Sequence, residues 1–386
     1  MYDVAIIGGG PAGLMAAYRA HLRGLSVVIY DPNRQLGRKL RITGKGRCNV
    51  CNNCDIKTIM ENIPGDGRFL YSALNRFSPS DVMAFFESRG VPLKTERGMR
   101  VFPVSDNAND IAEALIIKDI PVIHEFKRQL SGAKAFIIAT GGCSYPLTGS
   151  NGNGYELAKS IGHTIIEPKA SLVPLVSPDE FCRTLQGVAP KNIVLKLYKD
   201  NKLIYKELGE MLFTHFGISG PLVLTASSHM REDAQYKIEL DLKPGLDDAK
   251  LDLRMLRDIS ENANKSISNV LPKLVGSSMT PVIMDIAGID NKICNALTKE
   301  ERTRIRTVIK SFPISISGKR PIDEAIVTSG GVNLKEINPR TMQSKLDDRV
   351  YFAGEVLNLD AYTGGFNLQI AWSTGFVAGE EVLCSV

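Results

Sequence analysis

Apolar residues run unbroken from Val4 to Ile7, recur at helical spacing through "PAGLMAAYRAHL", and close up again in "LSVVIYD". This pattern predicts a buried strand, a glycine turn, a helix and a second buried strand ending on Asp31. Two further apolar runs end on glycine turns, "AKAFIIATGGCSYP" and "RVYFAGEV". The second leads through a loop to a C-terminal helix opened by Gly364 and Gly365, on which Leu368, Ala371, Trp372 and Gly375 would face a core. Between about residues 165 and 245 the pattern changes, and "NIVLKLYKD" and "YKIELDLK" alternate as strands do. From about Asp247 to Ser311 it is helical, with a capping box at Thr298 and Glu301 opening "KEERTRIRTVIKSF". "SFPISISGKRPIDEAIVTSGG" then returns to strands. There is no internal repeat or low-complexity tract.

The first strand–turn–helix–strand carries chemistry. Gly8, Gly10 and Gly13 supply a GxGxxG turn, completed by Pro11 and Ala12, in the one setting that gives the motif meaning. Gly8 permits the tight turn, Gly10 lets a pyrophosphate approach the backbone, and Gly13 lets the helix lie close on the strand. The phosphates would rest on the amide-rich end of the helix. Asp31 stands where a carboxylate can accept hydrogen bonds from an adenosine ribose. An adenine dinucleotide follows. The free amides after Gly364 and Gly365 could stabilise the negative charge that a reduced flavin carries on its pyrimidine side.

Composition narrows the class. With 386 residues, 44% hydrophobic and 23% charged, the chain is an ordinary globular protein of two or three domains. A net charge of +5 suits anionic small ligands but lacks the basic stripe of a dedicated nucleic-acid binder. Seven cysteines, an odd number, and an N-terminus that runs directly into a strand predict a reducing, cytoplasmic setting. No apolar run approaches a membrane span.

"GKGRCNVCNNCD" places Cys48, Cys51 and Cys54 at CxxCxxC spacing. A ferredoxin-type cluster needs a fourth cysteine at position 58, where Thr58 stands. A remote cysteine could still complete a zinc or cluster site, and a redox disulfide is a further reading, since the neighbouring cations favour thiolate. The expectation is no metal. Gly44 and Gly46 instead allow the cations Arg38, Lys39, Lys45 and Arg47 to lie along phosphates and a flavin edge.

Taken together, "IIGGGPAGLMAA", "GRKLRITGKGRCNV", "MRVFPVSDNANDI", "ATGGCSYPLTGSNGNGYELA", "LFTHFGISGPLVL", "RPIDEAIVTSGGV" and "YFAGEVLNLDAYTGGFNLQIAWSTG" resemble, over nearly the whole chain, the BaiN-like or aminoacetone-oxidase-like family of bacterial NAD(P)/FAD-dependent oxidoreductases. The resemblance implies an α/β fold with a glutathione-reductase-like, Rossmann-type FAD domain, made discontinuous by an inserted β-barrel-like domain and a small helical domain. The expected segments are 1–165 and 327–386 for the FAD domain, 166–245 with a return strand at 312–326 for the β-rich domain, and 246–311 for the helical domain. It further implies FAD contacts from Arg38, Lys39, Gly46, Arg47, Cys48 and Asn49, from Thr140 and Gly141, from Gly354 and Glu355, and from Gly365, Phe366 and Asn367. Only Cys48 of the three cysteines belongs to the shared motif. Between "NDIAEALI" and "FIIATGG" relatives usually carry a longer piece with a small β-meander, which in this chain is shortened or lost.

The implied activity is FAD-dependent oxidation of an amine or reduction of a conjugated enone on a small organic substrate, with NAD(P)H as a transient reductant. No catalytic acid or base is assigned. The rivals are a non-catalytic or RNA-associated flavoprotein and an iron–sulfur or zinc protein using the three cysteines. His215, set among apolar residues, reads as a hydrogen-bonded structural group more readily than as a base. Tyr145 and Thr148 read equally as pocket lining and as loop anchors, and "GSNGNG" reads as the start of the helix "YELAKSIG".

Overall fold

A computed structural model describes residues 1–230 and 234–384; positions 231–233 of the first β-rich segment and 385–386 of the last segment lie outside the described residues. The chain divides into two compact units, one built from Met1–Ser171 with Pro321–Val386 and the other from Leu172–Arg320.

The first unit is organised by a five-stranded, wholly parallel sheet. Its strands are β1 (Tyr2–Ile7), β2 (Val27–Tyr30), β3 (Val122–Ile123), β4 (Ala133–Ile138) and β5 (Val350–Phe352), in the order β5-β4-β1-β2-β3. Parallel strands covered on both faces read as continuous apolar runs, and Val4 to Ile7 and Ala135 to Ile138 are each fully buried. Against the sheet lie α1 (Pro11–Leu22) and the C-terminal α2 (Phe366–Glu381). The two helices touch backbone to backbone. A Cβ on Gly375 would stand 2.3 Å from Ala12 O, and one on Gly379 2.5 Å from Ala16 O. Glycine inside a helix costs about 1 kcal/mol relative to alanine; here no larger residue fits.

Smaller pieces complete this unit. Cys51–Asn52, Arg100–Pro103 and Leu93–Glu96 form a three-stranded antiparallel sheet, and Ile165–Ser171 pairs with Val327–Val332. Residues 116–132 contribute to the main sheet only the two-residue edge strand β3. The chain is too short there for a meander.

The second unit has its own apolar core, which includes Leu195, Leu197, Phe213, Ile238, Leu240, Ile305, Ile309 and Phe312. It holds two four-stranded antiparallel sheets and the helices Asp248–Ser260, Met279–Ala287 and Lys299–Lys310. Along Lys191–Lys199, Ile193, Leu195 and Leu197 point into the core, as the alternation requires. The capping box is present: Glu301 N donates to Thr298 Oγ1 and Thr298 N to a Glu301 carboxylate oxygen. Among the described residues no helix is long and apolar enough to cross a membrane.

Candidate functional site

The glycine turn sits at the carboxyl ends of β1 and β4. Gly8 has φ of 105°, and a Cβ there would lie 2.4 Å from Ala139 O. A Cβ on Gly13 would lie 1.9 Å from Gly8 O. These two positions are closed by the protein itself. Gly10, which caps α1 without any side-chain hydrogen bond, differs: a Cβ built on it meets nothing within 4 Å. The first turn of α1 carries no acidic residue, so its free amides face open space at the positive end of the helix dipole.

Asp31 is buried and its carboxylate braces this turn. Oδ2 accepts from Gly9 N at 2.6 Å, and Oδ1 accepts from Asn33 N at 2.8 Å and Asn33 Nδ2 at 2.9 Å. Asn33 Nδ2 also donates to Thr148 O at 3.0 Å, which ties the "SYPLTGSNG" loop to the end of β2. Thr148 thus serves as a loop anchor. Arg38 is exposed, with one long contact to Asn33 Oδ1 at 3.3 Å. Thr140 and Gly141 follow β4, and Gly141, at φ of 74°, packs on Ser150.

Three distant segments converge on Glu355. Lys39 Nζ donates to its carboxylate at 2.8 and 3.1 Å and to Ser144 Oγ at 2.7 Å. Ser144 Oγ and Thr328 N donate to Glu355 Oε1, each at 2.9 Å. The fully buried Thr328 accepts through Oγ1 from Cys143 N at 2.8 Å and Ser144 N at 3.1 Å. Glu355, Lys39 and the loop after β4 therefore form one polar cluster. Thr328 and Ser144 were missed by sequence reasoning: their motifs are legible, but partners 184 residues apart are not.

The third group surrounds the start of α2. A Cβ on Gly365 would lie 2.4 Å from the Cys51 carbonyl. Asn52 Nδ2 donates to Gly364 O at 3.0 Å, and Trp372 Nε1 donates to Val50 O at 2.9 Å. Asn367 Oδ1 accepts from Ala361 N at 2.9 Å, while its Nδ2 donates to Ala361 O at 2.7 Å, which shapes the loop before the helix. Phe366 is buried, and Gly354, at φ of 77°, leaves no room for a Cβ beside Ala12. The cysteine segment is a clasp on α2. Cys48 and Cys51 are fully buried, and burial pushes Cys48 up to about 12, Cys54 to about 11 and Cys51 higher still. The expectation that neighbouring cations would favour thiolate is corrected: desolvation outweighs them. Among the described residues no group of three His, Cys, Asp or Glu side chains could hold a metal ion.

Arg47 also departs from expectation. Its guanidinium bridges Glu96 and Asp106 and lies 4.2 Å over the Phe102 ring, so its charge is neutralised within the protein. His215 is exposed at the two-residue tip joining Leu212–Thr214 to Gly217–Ser219, rather than held in a core. Tyr145 takes a left-handed conformation, φ of 54°, in its loop.

These features fit FAD. The open approach at Gly10 and the free helix amides suit a pyrophosphate. Asn49 Oδ1 is buried with no partner among the described residues; such an acceptor suits the N–H or hydroxyl groups of a flavin or its ribityl chain. When bound, FAD supplies hydride transfer.

Known proteins agree with this reading. Residues 2–131 match the HI0933-like protein Rossmann domain, and residues 169–327 match the HI0933-like protein barrel and H2TH domain. The chain belongs to the HI0933-like family. As a member of that family it is an FAD-dependent oxidoreductase, related to the 3-dehydro-bile acid delta(4,6)-reductase of Clostridium scindens, to which it is 28% identical over 98% of both chains. It is also 25% identical to the ribosomal RNA dihydrouridine synthase of Escherichia coli, over 100% of this chain and 98% of the relative. Among solved structures, 3-ketosteroid delta1-dehydrogenase from Sterolibacterium denitrificans superposes over 99% of each chain at 12% identity, with a TM-score of 0.49 that is too low to add weight.

Proposed function

We propose that this HI0933-like protein reduces a carbon–carbon double bond conjugated to a carbonyl in a small organic substrate, with FAD as hydride donor and NAD(P)H as transient reductant. The observation that carries this reading is shared chemistry. Two full-length relatives, named as a bile acid reductase and a dihydrouridine synthase, both saturate such a bond. Nothing comparable favours amine oxidation. A second reading, with the reducible bond in a uracil ring of ribosomal RNA, is favoured by the dihydrouridine synthase alone. The family's redox role stands against the non-catalytic rival. The cytoplasm is the proposed setting, supported by seven cysteines that are all unbridged.

In this reading Gly10, Pro11, Ala12 and the α1 amides bind the pyrophosphate between Gly8 and Gly13. Asp31 braces the turn and receives the adenosine ribose beside Arg38. Lys39 and Glu355 hold the ribityl region with Thr140, Gly141 and Gly354, while Gly46, Arg47, Cys48 and Asn49 border the flavin opposite Gly365, Phe366 and Asn367. The Arg47 role is positional, through Glu96 and Asp106.

The test is an anaerobic spectrum of purified holoprotein, reduced with NADH or NADPH and then mixed with steroid enones, pyrimidine nucleosides, amines or ribosomal RNA. Reoxidation of the flavin by an enone, with formation of the saturated ketone, is the expected result. Bleaching of oxidised flavin by an amine, or reoxidation by RNA alone, would overturn the small-enone assignment.

A further inference from the structure

Glu96–Arg100 forms a turn whose position is fixed on both sides. Gly98 and Met99 reverse the chain at φ of 74° and 58°. Asn52 Nδ2 donates both to Gly98 O at 3.0 Å and to Gly364 O at 3.0 Å, so a single amide nitrogen holds the turn against the glycine pair that opens α2. Asn53 N donates to Met99 O at 2.7 Å and fixes the other side of the reversal.

The charges at this turn do not balance. Arg47 and Lys94 face Glu96 and Asp106, two cations against two anions, and that cluster is neutral. Arg100 stands outside it. Its Nε donates to Arg97 O at 3.1 Å and its guanidinium lies 6.0 Å from the Phe102 ring, but among the described residues no carboxylate pairs with it. Lys45 lies in a separate turn, next to Gly44, whose position packs against the same ring. It is exposed, at φ of 59°, in a turn where a Cβ on Gly44 would touch Phe102 at 3.6 Å, and it too has no ion-pair partner among the described residues. A fixed turn carrying one cation with no carboxylate partner, held against the proposed flavin edge, is suited to hold a substrate's anionic group while leaving its reacting atoms free.

We propose that Arg100 recognises a carboxylate or phosphate on the substrate and so makes this enzyme selective for acidic substrates. The inference rests on the reading above that the flavin edge lies at Gly364 and Gly365 and that the substrate is a conjugated ketone. Arg100 is a specificity residue here and takes no part in the transfer of hydride or proton.

The experiment uses holoprotein and two probes that differ only in charge, 3-oxochol-4-en-24-oic acid and its methyl ester, each titrated against the absorbance of the bound oxidised flavin. The acid is expected to bind about fivefold more tightly than the ester at low salt, and added salt at about 0.5 M should shrink that advantage by screening. Arg100→Gln should abolish the preference by weakening the acid alone, with unchanged flavin content and Tm, and Arg100→Lys should restore part of it. Equal affinities in the unmodified protein, or a preference untouched by Arg100→Gln, would overturn the inference while leaving the enone reading intact. If neither probe perturbs the flavin, the enone reading itself fails and this inference falls with it.

Discussion

Gly10 and Gly13 belong to one motif but are constrained by different things. Gly13 is held by the protein's own packing, since a Cβ there would overlap Gly8 O. Gly10 is unconstrained by the fold, with an ordinary φ of −82°. Gly13→Ala should therefore lower Tm sharply or prevent folding, whereas Gly10→Ala should keep Tm in the absence of cofactor but weaken FAD binding at least tenfold, as read by flavin fluorescence. If Gly10→Ala bound FAD normally, the pyrophosphate would not lie there. Lys39→Met offers a second test. Glu355 would lose its cation while about four-fifths buried, at a cost of about 2 kcal/mol, and a fall in Tm together with FAD affinity is expected. The cysteines give the opposite forecast: at pH 7.5 an aromatic disulfide reagent should titrate the exposed Cys384 first and reach Cys48 and Cys51 only after unfolding. Rapid labelling of Cys51 in the native protein would contradict its burial. These local properties were only partly legible in sequence. Spacing revealed the glycine turn, and the family resemblance singled out the motif around Cys48, but burial, which decides whether a thiol is reactive, depends on segments far along the chain. Arg47 shows the same limit, because Glu96 and Asp106 are invisible as its partners until the chain is folded.

Secondary-structure elements were more legible than their pairings. Apolar runs located β1, β2, β4 and β5, and the capping box located the helix Lys299–Lys310. Nothing in "IGHTIIEP" suggested that His163 would join three segments. The imidazole is buried, with Nδ1 3.0 Å from Glu336 Oε2, Nε2 2.8 Å from Ser344 Oγ, and the Phe352 ring of β5 edge-on at 4.8 Å. Burial, the largest influence, holds His163 below its ordinary value of 6.5 despite Glu336 and Asp347 nearby. The unfolded chain therefore takes up a proton before the folded one does. Stability from this site is full above about pH 6.5 and declines as the pH falls below it. Tm should drop between pH 7.5 and 5.5, and His163→Gln should be less stable at pH 7.5 yet show a shallower pH slope. An unchanged slope would remove His163 as a source of the effect; His229, also held low by burial, would then carry it.

At the scale of the whole molecule, two separate cores imply two separable folding units. Leu172–Arg320 is one continuous stretch with complete sheets and its own helices. Expressed alone, it should give cooperative unfolding and mixed helix–strand circular dichroism without binding FAD; a molten fragment would show that its core needs the rest of the chain. The unit that carries the cofactor cradle differs in being discontinuous. The change of pattern near residues 165 and 312 made an insertion legible, but not that Ile165–Ser171 and Val327–Val332 pair with each other in the first unit, because strand partners lack a sequence signature when they lie so far apart. β5 adds to the edge of a sheet begun at Tyr2, and α2 packs its glycines on α1. During synthesis, the first half of the nucleotide cradle must wait on the ribosome for more than half the chain before its last strand and helix arrive. The inserted unit can fold in that interval, so the nascent protein should acquire its yellow colour last, after release. A chain arrested before Val350 should be protease-resistant only across the insert, a difference that ribosome-bound intermediates can display directly.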